Sequence, residues 1–554
     1  MTKKILFCAA VLLISFLTFF RLLRPGYFSM QDDVQVFRIQ QFDECLRDLQ
    51  FPCRYIAKGG LGYGYPLFNF YPPLPYFIGS LVYKIGLSYI NSAKFLFIVG
   101  HLFSGLGMFL WARIFWGDWG GLISAVFYIF APYRAIDGYV RGALGEFWAI
   151  TITPYIFWLL TAAAKGRDNL KWLGFSFLTG ILLLTHNLSA LTVLPILLIY
   201  CLFFLKKDEN IASLKKLFSF LFLSLSLAAF FIFPALLEKK LVTLGTMTQG
   251  FFDFRAHFTT LKQLFILRNW GYGASLFGPK DDLSFQIGIF HWLLPVITAG
   301  LFFLRRKKNT VGREFWLFLF LGFFAAFLTH NKSTFIWKTL NFMAYYQFPW
   351  RFLTMVIFCF SFCAGAAVFL FKNKREKIIA AIFLCFVVAF LNLNYFKEDI
   401  WFAGLSDKDK LTGEELIRQS GAGIGDYWPI YGKTYPKSFA PAKPWFSLGS
   451  GDIKNFQKGS NYSFCEAEVN AEEAEIVFPI VYYPDWIVKD NGEIVNYHQD
   501  EELGLIRVTT NKGLHKFSLK FKETKFRLFF NYFSFFTFIV SIITLLKFLM
   551  RKKK

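Results

Sequence analysis

Two adjacent carboxylates, Asp32 and Asp33, stand just past the hydrophobic segment that opens the chain, in the stretch GYFSMQDDVQVFRIQQFDECL. At a membrane surface a carboxylate can act as general base toward an acceptor hydroxyl, or hold a divalent cation such as Mg or Mn against a phosphate. A side-by-side pair can divide those tasks. Three further polar groups interrupt apolar sequence. In APYRAIDGYVRGALGEFWA, Asp137 and Arg141 are spaced to meet across one helical turn, and either pair with each other or serve a site. Glu146, at the start of an apolar run and near a helix N-terminus, is the better candidate for a functional acid or acceptor. In LLLTHNLSAL, His186 and Asn187 fall between two apolar runs with almost no loop. Asn187 suffices there as a helix cap, and His186 either satisfies the turn or hydrogen-bonds a phosphate or hydroxyl. In MAYYQFPWRFLTM, Arg351 opens an apolar run, and its guanidinium fork matches phosphate geometry. Tyr345, Tyr346, Gln347 and Trp350 beside it are sugar-facing or interface-anchoring groups; the alternative is an aromatic belt with a snorkelling arginine.

The elements that must position these groups are membrane-spanning. The 554 residues are 55% apolar and 21% aromatic, in long apolar blocks separated by short polar gaps, which is the composition of a polytopic membrane protein. The formal net charge of +23 sits largely in short clusters between those blocks, so it speaks for topology and against nucleic-acid binding. Blocks long enough to cross a bilayer fall near 5–22, 93–114, 119–136, 146–164, 170–186, 189–205, 214–234, 287–304, 314–330, 351–371, 378–396 and 527–549. The first reads as an uncleaved anchor, because no small-x-small cleavage site follows it.

Basic residues fix the orientation: Lys3 and Lys4; Lys165, Arg167 and Lys171; Lys206, Lys207, Lys215 and Lys216; Arg305 to Lys308 with Arg313; Lys372 to Lys377; and Arg551 to Lys554. All belong in the cytoplasm if the number of crossings between Lys4 and Lys165 is even. The proline-interrupted segment 73–90 is therefore expected to lie along the outer face or to re-enter rather than span. The outside segments are then 23–92, 137–145, 187–188, 235–286, 331–350 and 397–526. All the polar groups above fall in them or at their edges, which points to a single extracytoplasmic site roofed by loops.

From about Phe396 the character changes. Turn signals at Asn491-Gly492 and Asn511-Lys512-Gly513, with alternating runs such as EIVFPIVYY, LGLIRVTT and HKFSLKF, predict a small, mainly β, extracytoplasmic domain over 397–526. The expected organisation is a catalytic transmembrane domain over 1–396, the β domain, and a last helix with a basic cytoplasmic tail over 527–554. Eight cysteines show no metal-binding spacing, and Cys45 and Cys53 are near enough for a disulfide.

Together the motifs resemble the GT-C fold of glycosyltransferases that use lipid-linked sugars. The chain is most similar to bacterial membrane proteins labelled 6-pyruvoyl-tetrahydropterin synthase-related, neighbours of the YfhO-type proteins. The similarity runs through Asp32-Asp33, GYGYPLFNFYPPLPYFIG with Tyr71, PYRAIDGYVRGALGEFWA, LTHNLSAL, QFPWRFL, YYPDWIVKDNGEI and GLHKFSLKF. The label does not supply a function, since a pterin synthase needs three clustered zinc-binding histidines and the seven here are scattered. The resemblance implies a multi-pass plasma-membrane enzyme. It would transfer a sugar, with inversion, from a polyprenyl-phosphate donor to a glycan, lipid or protein acceptor outside the membrane. Asp32 or Asp33 would be base or metal contact, and Arg351, then Arg141, would face phosphate. Many relatives carry histidine after the acidic pair where Val-Gln-Val-Phe-Arg stands here, which speaks against a metal ligand at that point. A flippase of lipid-linked sugars, or a scaffold presenting the β domain, are the competing classes; the former predicts ionisable groups in mid-span, and few occur.

Overall fold

The computed structural model describes residues 2–166, 168–205, 211–276, 281–304 and 311–553. Of the basic residues that set the orientation, Arg167, Lys206, Lys207, Arg305 to Lys308 and Lys554 lie outside that set. A mostly helical body carries a C-terminal antiparallel sheet.

Helix forms at each of the twelve apolar blocks. Among the described residues five helices are long and apolar enough to cross a membrane: Tyr89–Ile129, Leu144–Gly166, Pro349–Leu370, Lys374–Tyr395 and Lys525–Met550. Lys215–Leu227 and Ala229–Leu237 make a sixth if that pair, bent by 77°, is one span. The blocks at 93–114 and 119–136 are two arms of one helix, broken at Gly117 (φ 69°), a conformation that glycine adopts without a Cβ penalty. The segment 73–90 contains only the helix Leu74–Lys84. Prolines start it, Lys84 closes it in an ion pair with Asp43 (3.0 Å), and its 11 residues are half of what the hydrocarbon core requires.

In the sheet, Tyr462–Val481 pairs with Trp445–Leu448, Gly451–Lys458 and Leu505–Phe521, and the last of these pairs with Trp486–Asp490. Asn491 (φ 50°) and Gly492 (φ 93°) form the tight hairpin turn that their sequence predicts, joining Trp486–Asp490 to Glu493–Ile494. The second turn signal is not a turn. Asn511-Lys512-Gly513 lies within the continuous strand Leu505–Phe521, where the register shifts between Val469↔Gly513 and Glu473↔Asn511. A glycine in a strand marks a bulge as readily as a reversal, and the long partner strand decides between them. Cys45 and Cys53 are joined by a disulfide.

A buried polar network fastens the sheet to the helical body. Arg54, 1% exposed, donates to Glu523 (2.8 and 2.9 Å), Asn69 (2.9 Å), the Phe230 carbonyl (3.1 Å) and Asn531 (2.8 Å). Asn69 continues to Glu238 (2.8 Å), which also accepts from Tyr483 (3.0 Å) and Arg527 (2.9 Å). One connected set thus joins the first long loop, the end of the bent helix, the sheet and the last helix. Removing one member of such a set strands the others. Arg54→Met is expected to cost about 3 kcal/mol or more. A fluorescence-detected melt in detergent should show a lowered midpoint, whereas Lys433→Met, which breaks only the exposed pair with Glu501, should leave it in place.

Candidate functional site

A cavity of about 650 Å³ lies where the helical body meets the C-terminal segment. Each of the six segments that charge assigns to one side contributes to its lining: Asp32 from 23–92, Arg141 from 137–145, Asn187 from 187–188, Lys239 from 235–286, Gln347 from 331–350 and Asp426 from 397–526. None of its described lining residues comes from the basic loops. Tyr71, His186, Tyr345, Trp350 and Arg351 are the other expected residues that line it.

Asp32 is placed by backbone. Its N–H donates to the Arg141 carbonyl (2.7 Å) and that of Gln31 to the Val140 carbonyl (2.9 Å). Gln35 clamps both strands of this contact, donating to the carbonyls of Asp32 (3.0 Å) and Gly142 (2.8 Å). Gly142 (φ 65°) ends the turn in the left-handed region, and a Cβ there would meet the Met30 side chain at 2.2 Å. Asp32 itself is exposed to the cavity, and among the described residues no hydrogen bond or ion pair holds its carboxylate.

Asp33 is differently engaged. It does not line the cavity; its carboxylate accepts from Lys410 (2.5 Å) and Arg418 (3.1 Å). Those two cations also bind Glu415, and Arg418 with Lys410 holds its carboxyl down at about 2. The pair therefore does not form a two-carboxylate cradle. Among the described residues no three His, Cys, Asp or Glu side chains gather as a metal-binding group.

Ile136–Arg141 is a π-helical turn, a form that concentrates at functional positions. Arg141, 5% exposed, donates to Asp137 and to Glu146 (2.8 Å), and its guanidinium lies 4.7 Å from the Trp350 ring. Pairing and site participation, alternatives in the sequence, therefore coexist at Arg141. Asp137 is behind it, fully buried; burial, reinforced by the Glu146 carboxylate, pushes its carboxyl well up. Glu146 does not line the main cavity. Its Oε1 accepts from Tyr133 (2.7 Å) and Thr354 (3.2 Å), while Oε2 faces Arg141 (2.8 Å) and the Arg351 Nε (3.6 Å). It is a carboxylate that positions two guanidinium groups.

Arg351 donates to the Tyr346 carbonyl (2.8 Å) and to Gln347 Oε1 (3.1 Å). Gln347 sits at φ 61°, ψ −48°, a conformation that costs a non-glycine residue about 1–3 kcal/mol. The helix cap expected of Asn187 is made by His186, whose Nδ1 accepts from the Ser189 N–H (3.2 Å). A backbone N–H can only donate, so the neutral ring carries its proton on Nε2 and offers a donor. Asn187 instead donates to the Phe70 carbonyl (3.4 Å).

Arg38 and Asp426 also line the cavity, and neither was singled out in the sequence. Arg38 stacks on the Tyr71 ring (4.2 Å) and donates to Tyr76 (3.3 Å). Its signal was a lone arginine between Phe37 and Ile39, shortly after the acidic pair. Asp426 accepts from Thr246 (3.2 Å), and burial raises its carboxyl pKa. Nothing local marks it among the polar residues around it.

Since Asp33 binds the segment 407–421 and Asp32 does not, Lys410→Met should increase deuterium uptake over 407–421 and Asp32→Asn should leave it unchanged. Unaltered uptake in Lys410→Met would show that these ion pairs do not hold the segment.

A family model described as 6-pyruvoyl-tetrahydropterin synthase related domain, membrane protein, matches residues 68–396, more than half of the chain. The match contains Tyr71 and every expected site residue from Asp137 to Arg351; Asp32 and the sheet lie outside it. An uncharacterized protein of Lactococcus lactis subsp. cremoris (strain MG1363) is 25% identical over 244 residues, which cover 42% of this chain and 40% of that protein. The matched region thus spans well under two thirds of that relative's length. ArnT from Cupriavidus metallidurans, solved bound to undecaprenyl phosphate, superposes with a TM-score of 0.39 at 13% identity, over 70% of this chain and 64% of that one. The Archaeoglobus fulgidus oligosaccharyltransferase, in a complex with Zn and sulfate, gives 0.34 at 13%, over 70% and 53%.

Proposed function

The chain belongs to the 6-pyruvoyl-tetrahydropterin synthase-related family of membrane proteins, and we propose that it is a glycosyltransferase moving a sugar from a polyprenyl-phosphate donor to an acceptor hydroxyl outside the membrane. The observation that carries this reading is the juxtaposition in one cavity of an unpaired carboxylate, Asp32, with two guanidinium groups, Arg141 and Arg351. The lining also includes the apolar side chains Leu236, Met247, Phe251 and Phe252. A polyprenyl phosphosugar has the same division, an anionic head on a hydrocarbon chain, and the cavity volume falls in the range of small-molecule sites.

In the proposed reaction Asp32 takes the proton of the acceptor hydroxyl as its oxygen attacks the anomeric carbon. The bond from that carbon to the phosphate oxygen breaks, and the polyprenyl phosphate leaves with the electron pair. Attack opposite the leaving group inverts the carbon. Arg351 and Arg141 stabilise charge as it gathers on the leaving phosphate, an effect that grows in the transition state. Glu146 holds both guanidinium groups in place, and the His186 Nε2–H and the Gln347 amide are donors to phosphate or sugar. On this reading the basic loops are cytoplasmic, which would put both termini inside and the cavity and the sheet outside.

Asp32→Asn should lower transfer from labelled polyprenyl-phosphate sugars in membranes by about 10²–10⁴-fold, and Asp33→Asn should retain most activity. Wild-type transfer by Asp32→Asn would overturn the assignment of the base. Glu146→Gln should lose about 10²-fold or more by releasing the guanidinium pair. Arg351→Lys should not restore donor binding, because a point charge lacks the fork.

A further inference from the structure

A second cavity, of about 470 Å³, lies across the glycine-rich loop 59–64 from the first: Tyr65 lines the first, and Lys58 and Gly62 line the second. Its far wall is the C-terminal region, through Leu416, Phe439, Phe456 and Lys458.

Of its two carboxylates, only Glu44 is paired with a cation among the described residues. Glu44 binds Lys58 (2.5 Å), and Asp48 accepts from the Ser460 N–H (2.6 Å). Arg47 is held by Asp43 (3.0 Å). Lys458 differs from these. Its ammonium donates to two carbonyls, those of Gly62 (2.7 Å) and Pro479 (2.7 Å), and among the described residues no carboxylate lies within ion-pair distance. An ammonium has three donors, so one remains for a ligand. Burial without a counter-charge pushes its pKa down to about 7. An arriving anion would reverse that shift and gain correspondingly.

The rest of the wall suits a sugar ring. Phe439 is 37% exposed, and Phe456 and Tyr462 stand near it in the lining. Gly62 (φ 84°) lets the loop approach Phe439 closely: a Cβ there would meet the ring at 2.8 Å. Aromatic faces beside a charged group are the combination that reads a saccharide bearing an anionic substituent.

We propose that this cavity binds an anionic saccharide, its carboxylate or phosphate pairing with Lys458 and its ring against Phe439 and Phe456. The site stands apart from the transfer chemistry; that its occupant is the acceptor rests on the transferase reading. The test is calorimetric binding to the full chain in detergent, with no transfer step. The probes are trigalacturonate, glucose 6-phosphate, neutral trigalactose and inorganic phosphate. The first two distinguish a carboxylate from a phosphate source. At least one should bind, with trigalactose and inorganic phosphate weaker by about tenfold or more and Lys458→Met weakened by the same factor. Phe439→Ala, at an exposed ring, should weaken the same probe should Lys458→Met fold poorly. Asp32→Asn should bind as wild type, which separates this site from the first. No binding by either anionic sugar, equal binding by trigalactose or by inorganic phosphate, or undiminished binding by both variants would overturn the proposal.

Discussion

Glu146 sits at the start of an apolar helix, 2% exposed, with its carboxylate between Arg141 (2.8 Å) and Arg351 (3.6 Å). A charge so placed is costly unless it is paired and fully hydrogen-bonded. Tyr133 and Thr354 supply the remaining bonds. The consequence reaches outward. Two like-charged guanidinium groups would not stay together without the shared anion. One comes from the π-turn before the helix and the other from the start of Pro349–Leu370, and Glu146 fixes both at the floor of the cavity. The same turn donates the carbonyls that hold Gln31 and Asp32. Asp32 and the two guanidinium groups are therefore registered against each other through one short stretch, 137–146.

Around that floor, loops from six separate segments make the wall, and loops are held only as well as their anchors. The Arg54 and Glu238 network is the principal anchor, since it joins the first long loop to the sheet and the last helix. The ion pairs of Asp33 with Lys410 and Arg418 are a second. Both are assembled from residues distant in the chain, so the site exists only when the helical body and the C-terminal segment are docked.

Much of this was legible before any coordinates. The length of the apolar runs located the helices, because burial in lipid requires long apolar runs. Charge asymmetry sorted the loops, and the sorted loops are those that meet at the cavity. The Asn491-Gly492 turn and the Cys45–Cys53 pair follow from local chemistry that few other arrangements satisfy. The signal at Asn511-Lys512-Gly513 misled, because turn residues and bulge residues are the same types, and the length of the opposing strand chooses between them.

The sequence by itself determined which residues stand at polar edges of apolar helices, since that is a property of composition along the chain. Tertiary structure alone decided their roles. Asp32 and Asp33 are indistinguishable as neighbours. One bonds its backbone to Arg141 and leaves its carboxylate in the cavity; the other is taken by Lys410, 377 residues downstream. Likewise Glu146, a candidate acid or acceptor in the sequence, holds two arginines, while Arg38 and Asp426 entered the wall unannounced. Such partners are brought together by packing over long sequence separations, and no local pattern encodes which side chain will find which counter-charge.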